Sequence, residues 1–280
     1  MPEQNGRPVK AYKNLDFLNS GDARIIRIIS EYMEPMQRFC QEGIMDTIVF
    51  FGSSRAPSEE QLKLVLEDKS ISESKREMLL KLHRYRNDAV ELARLLTKWS
   101  MALDHEKRFV ICSGGGPGIM EAANEGAMLA GGKSIGLNIS LPMEQVPNAH
   151  ISNELNFEFH YFFMRKFWFA YLAKALIIFP GGFGTMDELF EILTLVQTNK
   201  LQKYTAVIIY GTDYWKQIIN FDKLAEWGVI RESDLDLFRF SDSPEEAFQH
   251  VSKYLEKHYI IGNEPSNPLI NRNLKCPPIA

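Results

Sequence analysis

The chain has 280 residues, with 32 Lys and Arg against 36 Asp and Glu for a formal charge of −4, so no global basic field recommends nucleic acid or an anionic membrane as partner. Its 45% hydrophobic residues suffice for a sizeable core, as one large α/β domain or two small ones. Cys40, Cys112 and Cys276 form no CxxC or Cys/His cluster and the six histidines show no ligand spacing, which argues against a metal site and suits a reducing cytoplasm.

Residues 1 to about 20 are polar and aperiodic, lack a charged-then-apolar signal pattern, and precede no apolar run of membrane-spanning length, so a cytoplasmic, membrane-free protein is expected. Asn19-Ser-Gly-Asp22 caps a helix with Ile25, Ile28, Ile29, Tyr32 and Met33 on one face. Asp46-Thr-Ile-Val-Phe-Phe51 reads as the first buried strand. It ends in the small-residue turn Gly52-Ser53-Ser54-Arg55, on the carboxyl edge where open α/β sheets collect ligands. A charged segment follows, then an amphipathic helix from Glu73 to Leu103. Its stripe of Met78, Leu82, Tyr85, Ala89, Leu92, Leu96 and Trp99 reads as core, and its charged face as solvated surface.

The second strand, Arg108 to Cys112, opens into Ser113-Gly114-Gly115-Gly116-Pro117-Gly118-Ile-Met-Glu121, with Pro117 suited to the first turn of a helix. A third strand, Ser134 to Ser140, leads into the proline-punctuated loop Leu141 to Asn148. Asn156 to Phe159 is a short strand, and Tyr161 to Ala173 a helix rich in aromatics that carries Arg165 and Lys166, charges that need partners if buried.

Ala175-Leu-Ile-Ile-Phe179 feeds the most informative turn, Pro180-Gly181-Gly182-Phe183-Gly184-Thr185-Met-Asp-Glu188. Met186, Leu189, Phe190, Leu193 and Val196 then recur at helical spacing. The glycines are expected to take positive φ and bring backbone close to a ligand, Thr185 to cap the helix, and the free amides behind it to face an anion, most naturally a phosphate. Glu188 lies just inside that helix. Thr205 to Tyr210 is another strand, followed by a helix around Tyr214 to Glu226, a last strand at Phe238 to Phe240 and a closing helix from Ser243 to about Lys257. The proline-rich tail from Ile261 is irregular. The expected layout is a helical extension over residues 1–45, an α/β domain with a doubly wound, mostly parallel sheet and helices on both faces over 46–260, and a tail over 261–280.

GxGxxG fails at both glycine loops, because the last position is Ile119 or Glu121 in one and Asp187 in the other. Gly132-Lys-Ser134 lacks the leading glycine of a P-loop, and no GxSxG elbow occurs. What remains is an anion site made by two glycine loops, with a carboxylate at Glu188 and a cationic pair at Arg165 and Lys166.

At these residues the chain resembles the LOG family, the cytokinin riboside 5′-monophosphate phosphoribohydrolases long labelled possible lysine decarboxylases. The pattern PGGxGTxxE is matched at every fixed position, and the likeness spans about Thr47 to Tyr210. The segment from Leu141 is similar to the longer bacterial branch, some members of which hydrolyse AMP. The resemblance implies a Rossmann-like fold, a homodimer or higher homo-oligomer, and a small nucleoside monophosphate as substrate without metal or organic cofactor. It assigns the essential pair to Glu188 and Arg165, with Lys166 beside them. Phosphate and substrate binding fall to Gly52, Ser53, Gly114, Gly115, Gly116, Gly118, Gly181, Gly182, Gly184 and Thr185. Two positions depart from the plant-type MHxRK: Phe162 and Phe163 precede Met164-Arg165-Lys166, and the base-contacting acid has only Glu144 or Asn148 nearby. A non-catalytic nucleotide sensor or carrier on the same fold is the alternative.

Overall fold

Short runs of β-branched and aromatic residues form seven strands: β1 Thr47–Phe51, β2 Val110–Ser113, β3 Ser134–Ile139, β4 Asn156–Phe159, β5 Ala173–Ile178, β6 Ala206–Tyr210 and β7 Arg239–Ser241. They are seen in a computed structural model that describes residues 8–103, 109–141 and 146–261. All six pairings are parallel, in the order β4-β3-β2-β1-β5-β6-β7, which makes one Rossmann-like sheet. The helices are α1 Leu15–Leu18, α2 Arg24–Gln41, α3 Glu59–Glu67, α4 Glu73–Met101, α5 Ile119–Leu129, α6 Phe162–Leu172, α7 Phe183–Gln197, α8 Thr212–Ile218, α9 Phe221–Glu226 and α10 Pro244–Leu255.

The central strands are buried along their whole length, and alternate residues enter opposite cores. Val49, Phe51, Leu176 and Ile178 meet Phe39, Trp168, Leu189 and Trp215 on one face. Ile48, Phe50, Ala175 and Ile177 meet Leu92, Leu96, Ala123 and Val251 on the other. Helices cover both faces, as expected of a doubly wound sheet. The chain turns from one winding direction to the other between β1 and β5, so their carboxyl ends diverge into a crevice at the switch point.

Four local readings change. α2 buries Pro35 and Phe39 and half-buries Ile28 and Tyr32 against the core, whereas Ile25, Ile29 and Met33 are exposed, Ile25 by 70%. Tyr32 stacks on Trp168 at 5.8 Å and Phe39 meets the same indole at 5.3 Å, which fixes the rotation of the helix. The charged segment before α4 contains α3, closed by a capping box in which Ser58 and Gln61 bond each other's backbone. The helix expected over Tyr214 to Glu226 is two helices, because Asn220 is extended and caps α9. Finally, α4 outruns the sheet: Ala89, Leu92, Ala93 and Leu96 are core, but Met78 is exposed. At 29 residues and 1.5 Å per residue the helix is about 43 Å long, so its first turns stand beyond the packed layer. No described helix is long and apolar enough to cross a membrane. The tail beyond residue 261, and Glu144 in the loop before β4, lie outside the described residues.

Candidate active site

The switch-point crevice is a cavity of about 1260 Å³. Its floor comes from the turns after β1 and β5, which are tied together because the Ser53 amide donates to the Pro180 carbonyl at 2.9 Å. Of the sequence candidates, Gly52, Ser53, Gly114, Arg165, Gly181, Gly182, Gly184, Thr185 and Glu188 line the cavity.

The turn after β5 differs from its expected geometry. Gly182 has φ −91° and caps α7, so the helix begins at Phe183 and Thr185 stands inside its first turn. The helix cap lies three residues earlier than the threonine suggested. The amides of 183–185 are therefore among those a helix leaves without an internal acceptor, and they open on the cavity. Gly181 is needed for close approach, since a Cβ there would lie 2.1 Å from Thr185 Oγ1. Tyr214 holds the same turn by donating its hydroxyl to the Gly181 carbonyl at 2.6 Å.

Positive φ falls instead on the loop after β2, at Gly115 and Gly118. Gly118 combines φ +72° with backbone contact, because a Cβ would lie 2.3 Å from the Ser53 carbonyl oxygen. Gly115, Gly116, Gly118 and Lys166 are not among the residues lining the cavity. The Asn148 side chain donates to the carbonyls of Gly115 and Gly116 at 3.0 and 3.2 Å, and to Asn124 Oδ1 at 3.0 Å. In this structure Asn148 is a brace for the loop.

Arg165 and Lys166, adjacent in sequence, are turned to different duties by the helical step of about 100° per residue. Lys166 bridges Asp187 at 2.8 Å and Glu191 at 2.7 Å on α7. Burial alone would lower its ammonium, but those two hydrogen bonds hold it above the ordinary lysine value. Arg165 enters the cavity with Nη2 4.0 Å from Glu188 Oε1, and its guanidinium lies 5.2 Å from the Phe162 ring and 5.6 Å from the Phe169 ring. Its buried Nε has no hydrogen-bond partner among the described residues. Glu188 is buried, and burial pushes its carboxyl up to about 7 against the pull of Arg165 and Lys166. The pair thus presents a desolvated cation with donor capacity to spare and a carboxyl poised to change charge near neutral pH.

Periodicity missed one wall. Ser74, Glu77, Met78, Lys81, Leu82, Arg84 and Tyr85 of α4 line the cavity, so the early part of the helix read as core stripe and solvated face is a site wall. Asp213, Tyr214 and Gln217 of α8, with Asp242 after β7, close the opposite side. The position of these segments just after the carboxyl ends of β6 and β7 was the available signal.

Fold and site together define a Rossmann-like protein with a helix start at the cavity and a half-buried Arg165 beside a buried Glu188 at its switch point. The family model described as "Possible lysine decarboxylase" matches residues 120–251, which include Arg165 and the Pro180 to Glu188 turn. The probable cytokinin riboside 5′-monophosphate phosphoribohydrolase LOGL2 of Oryza sativa subsp. japonica is 26% identical over 178 residues, 62% of this chain and 68% of that protein. The cytokinin riboside 5′-monophosphate phosphoribohydrolase of Rhodococcoides fascians is 29% identical over 122 residues, 43% of this chain and 60% of that one. Among solved structures, the Moco carrier protein from Chlamydomonas reinhardtii is 18% identical and covers 76% of this chain and 98% of its own, with a TM-score of 0.47. At these low identities the chain is similar to LOG-type phosphoribohydrolases, and the family model spans the residues from Arg165 to Glu188.

Proposed function

We propose that the chain hydrolyses the N-glycosidic bond of a nucleoside 5′-monophosphate, AMP or a modified AMP such as a cytokinin riboside 5′-monophosphate, to free base and ribose 5-phosphate. The observation that carries this reading is the buried Glu188 carboxyl 4.0 Å from an Arg165 guanidinium whose Nε is unpartnered among the described residues, beside the start of α7. Breaking the bond from C1′ to the base nitrogen develops positive charge on the sugar and negative charge on the base. Glu188, ionised, stabilises the oxocarbenium-like centre or takes a proton from the attacking water, whose hydroxyl ends on C1′ while a proton goes to the base. Arg165 holds the phosphate or polarises the leaving base. The 5′-phosphate, received by the glycine turns and the amides of 183–185, fixes the ribose for attack. Apolar Met78, Leu82 and Ile218 in the lining suit a substituted base.

A phosphate remote from the scissile bond contributes binding that is used to orient the sugar. AMP or a modified AMP is therefore expected to be cleaved and adenosine not, with free base measured by chromatography for each. Equal turnover of adenosine and AMP would refute the phosphate role.

The same reading includes a homodimer. Ile25, Ile29 and Met33 of α2 and Phe163 of α6 are exposed, and an apolar groove lined by Ile28, Ile29, Tyr32, Phe163, Met164 and Phe167 joins the two helices. A second copy laid across them would cover this surface. Light scattering at micromolar concentration is expected to give twice the chain mass. A fully active monomer would contradict it.

A further inference from the structure

α6 carries Arg165 yet supplies no cap of its own: its N-cap Tyr161 makes no side-chain cap bond, and its first turn holds no acidic residue. The missing acceptor comes from α2, far away in sequence. Glu31 takes the His160 amide on one carboxylate oxygen at 2.8 Å and the Tyr161 amide on the other at 3.2 Å. Its backbone carbonyl accepts Trp168 Nε1 at 3.0 Å. One residue therefore grips α6 at its entrance and again seven residues later, on either side of Arg165. Tyr32 stacks against Trp168, and the Arg24 guanidinium lies 5.6 Å from the Tyr161 ring.

A carboxylate on two successive amides at a helix start makes charge-assisted hydrogen bonds and lies at the favourable end of the helix dipole. Rotation and axial position of α6 then decide where the guanidinium stands relative to Glu188 on α7, a helix that starts from the turn after β5 and that Lys166 also ties to α6. We propose that Glu31 is a positioning residue: by capping α6 from the N-terminal helix it holds Arg165 against Glu188. The inference rests on the reading of that pair as the reaction centre, and it gives α2 a role in the site.

The test uses the full chain with Glu31→Ala and Glu31→Gln. Turnover of AMP is measured beside the titration of the Glu188 carboxyl, followed by NMR of protein carrying ¹³C at the glutamate carboxyls. That titration reports the closeness of Arg165 without needing turnover, since Arg165, Lys166, Glu191 and Asp187 are the charged groups acting on Glu188. Losing the clamp is expected to lower kcat about 10- to 10²-fold in Glu31→Ala, the scale of a small misplacement of a reacting group, while KM changes by less than about threefold. The Glu188 midpoint is expected to rise above its parent value as the pull of Arg165 weakens. Glu31→Gln, which keeps an acceptor, is expected to fall between parent and alanine variant, and it decides alone if the alanine variant does not fold. Parent kcat and parent Glu188 titration, with only a lower melting temperature, would overturn the proposal and leave Glu31 a helix cap. If the parent cleaves no nucleotide, the titration decides alone: a rise sustains the positioning role while the hydrolase reading falls, and no change overturns it.

Discussion

Glu188→Gln is expected to lower AMP turnover by about 10²–10⁴-fold while leaving AMP affinity nearly intact, because the amide keeps the size and reach of the side chain but loses the charge that opposes the sugar's developing positive charge. The same substitution has a second signature. In the parent, burial raises the carboxyl from its ordinary 4.5 to about 7, so folding favours the protonated form. That contribution is complete below pH 4.5 and is lost as pH rises through about 7, when the folded protein must hold a buried carboxylate. Removing the titrating group should therefore stabilise the protein at pH 8 by on the order of 1–3 kcal/mol, visible as a higher melting temperature that disappears near pH 4. Parent-like turnover in Glu188→Gln would refute the mechanism, and a lower melting temperature at pH 8 would refute the cost of ionisation. In the parent, activity that depends on ionised Glu188 should rise with pH through about 7.

Arg165→Ala is expected to lower turnover by a comparable 10²–10³-fold, the scale for losing one positioned donor to developing charge. It removes the cation that favours ionised Glu188, so the carboxyl should titrate higher still. Calorimetry divides the two roles: AMP affinity falls with turnover if the guanidinium holds the phosphate, and stays near the parent value if it serves the leaving base. Unchanged turnover would remove Arg165 from the reaction.

How much of this was legible depended on what each residue type can signal alone. Val49, Phe50, Leu176 and Ile177 sit in strands buried on both faces, so unbroken apolar runs located the central sheet, and the loops after β1, β2 and β5 followed from their small residues. Arg165 and Glu188, 23 positions apart in sequence, stand 4.0 Å from each other at the cavity. Four things were not legible. The sequence order of Arg165 and Lys166 does not say which enters the cavity, a matter settled by Asp187 and Glu191 on a neighbouring helix. In α2 the apolar stripe Ile25, Ile29, Met33 overlaps another formed by Ile28, Tyr32 and Phe39, and only the aromatic partners Trp168 and Phe157 select the buried one. Periodicity in α4 marks an apolar face but not the point where the helix passes the sheet edge, so Lys81, Arg84 and Tyr85 looked like surface and core rather than a site wall. A cap supplied by Glu31 to a helix 130 residues away has no local signature.

The most direct measurement is incubation of the purified full chain with AMP and with a cytokinin riboside 5′-monophosphate, followed by chromatographic separation of the products. Free base and ribose 5-phosphate in equal amounts from at least one of them are the expected result. Intact nucleotide in both, with calorimetry showing that it is bound, would contradict the hydrolase reading and leave a nucleotide-binding protein in its place.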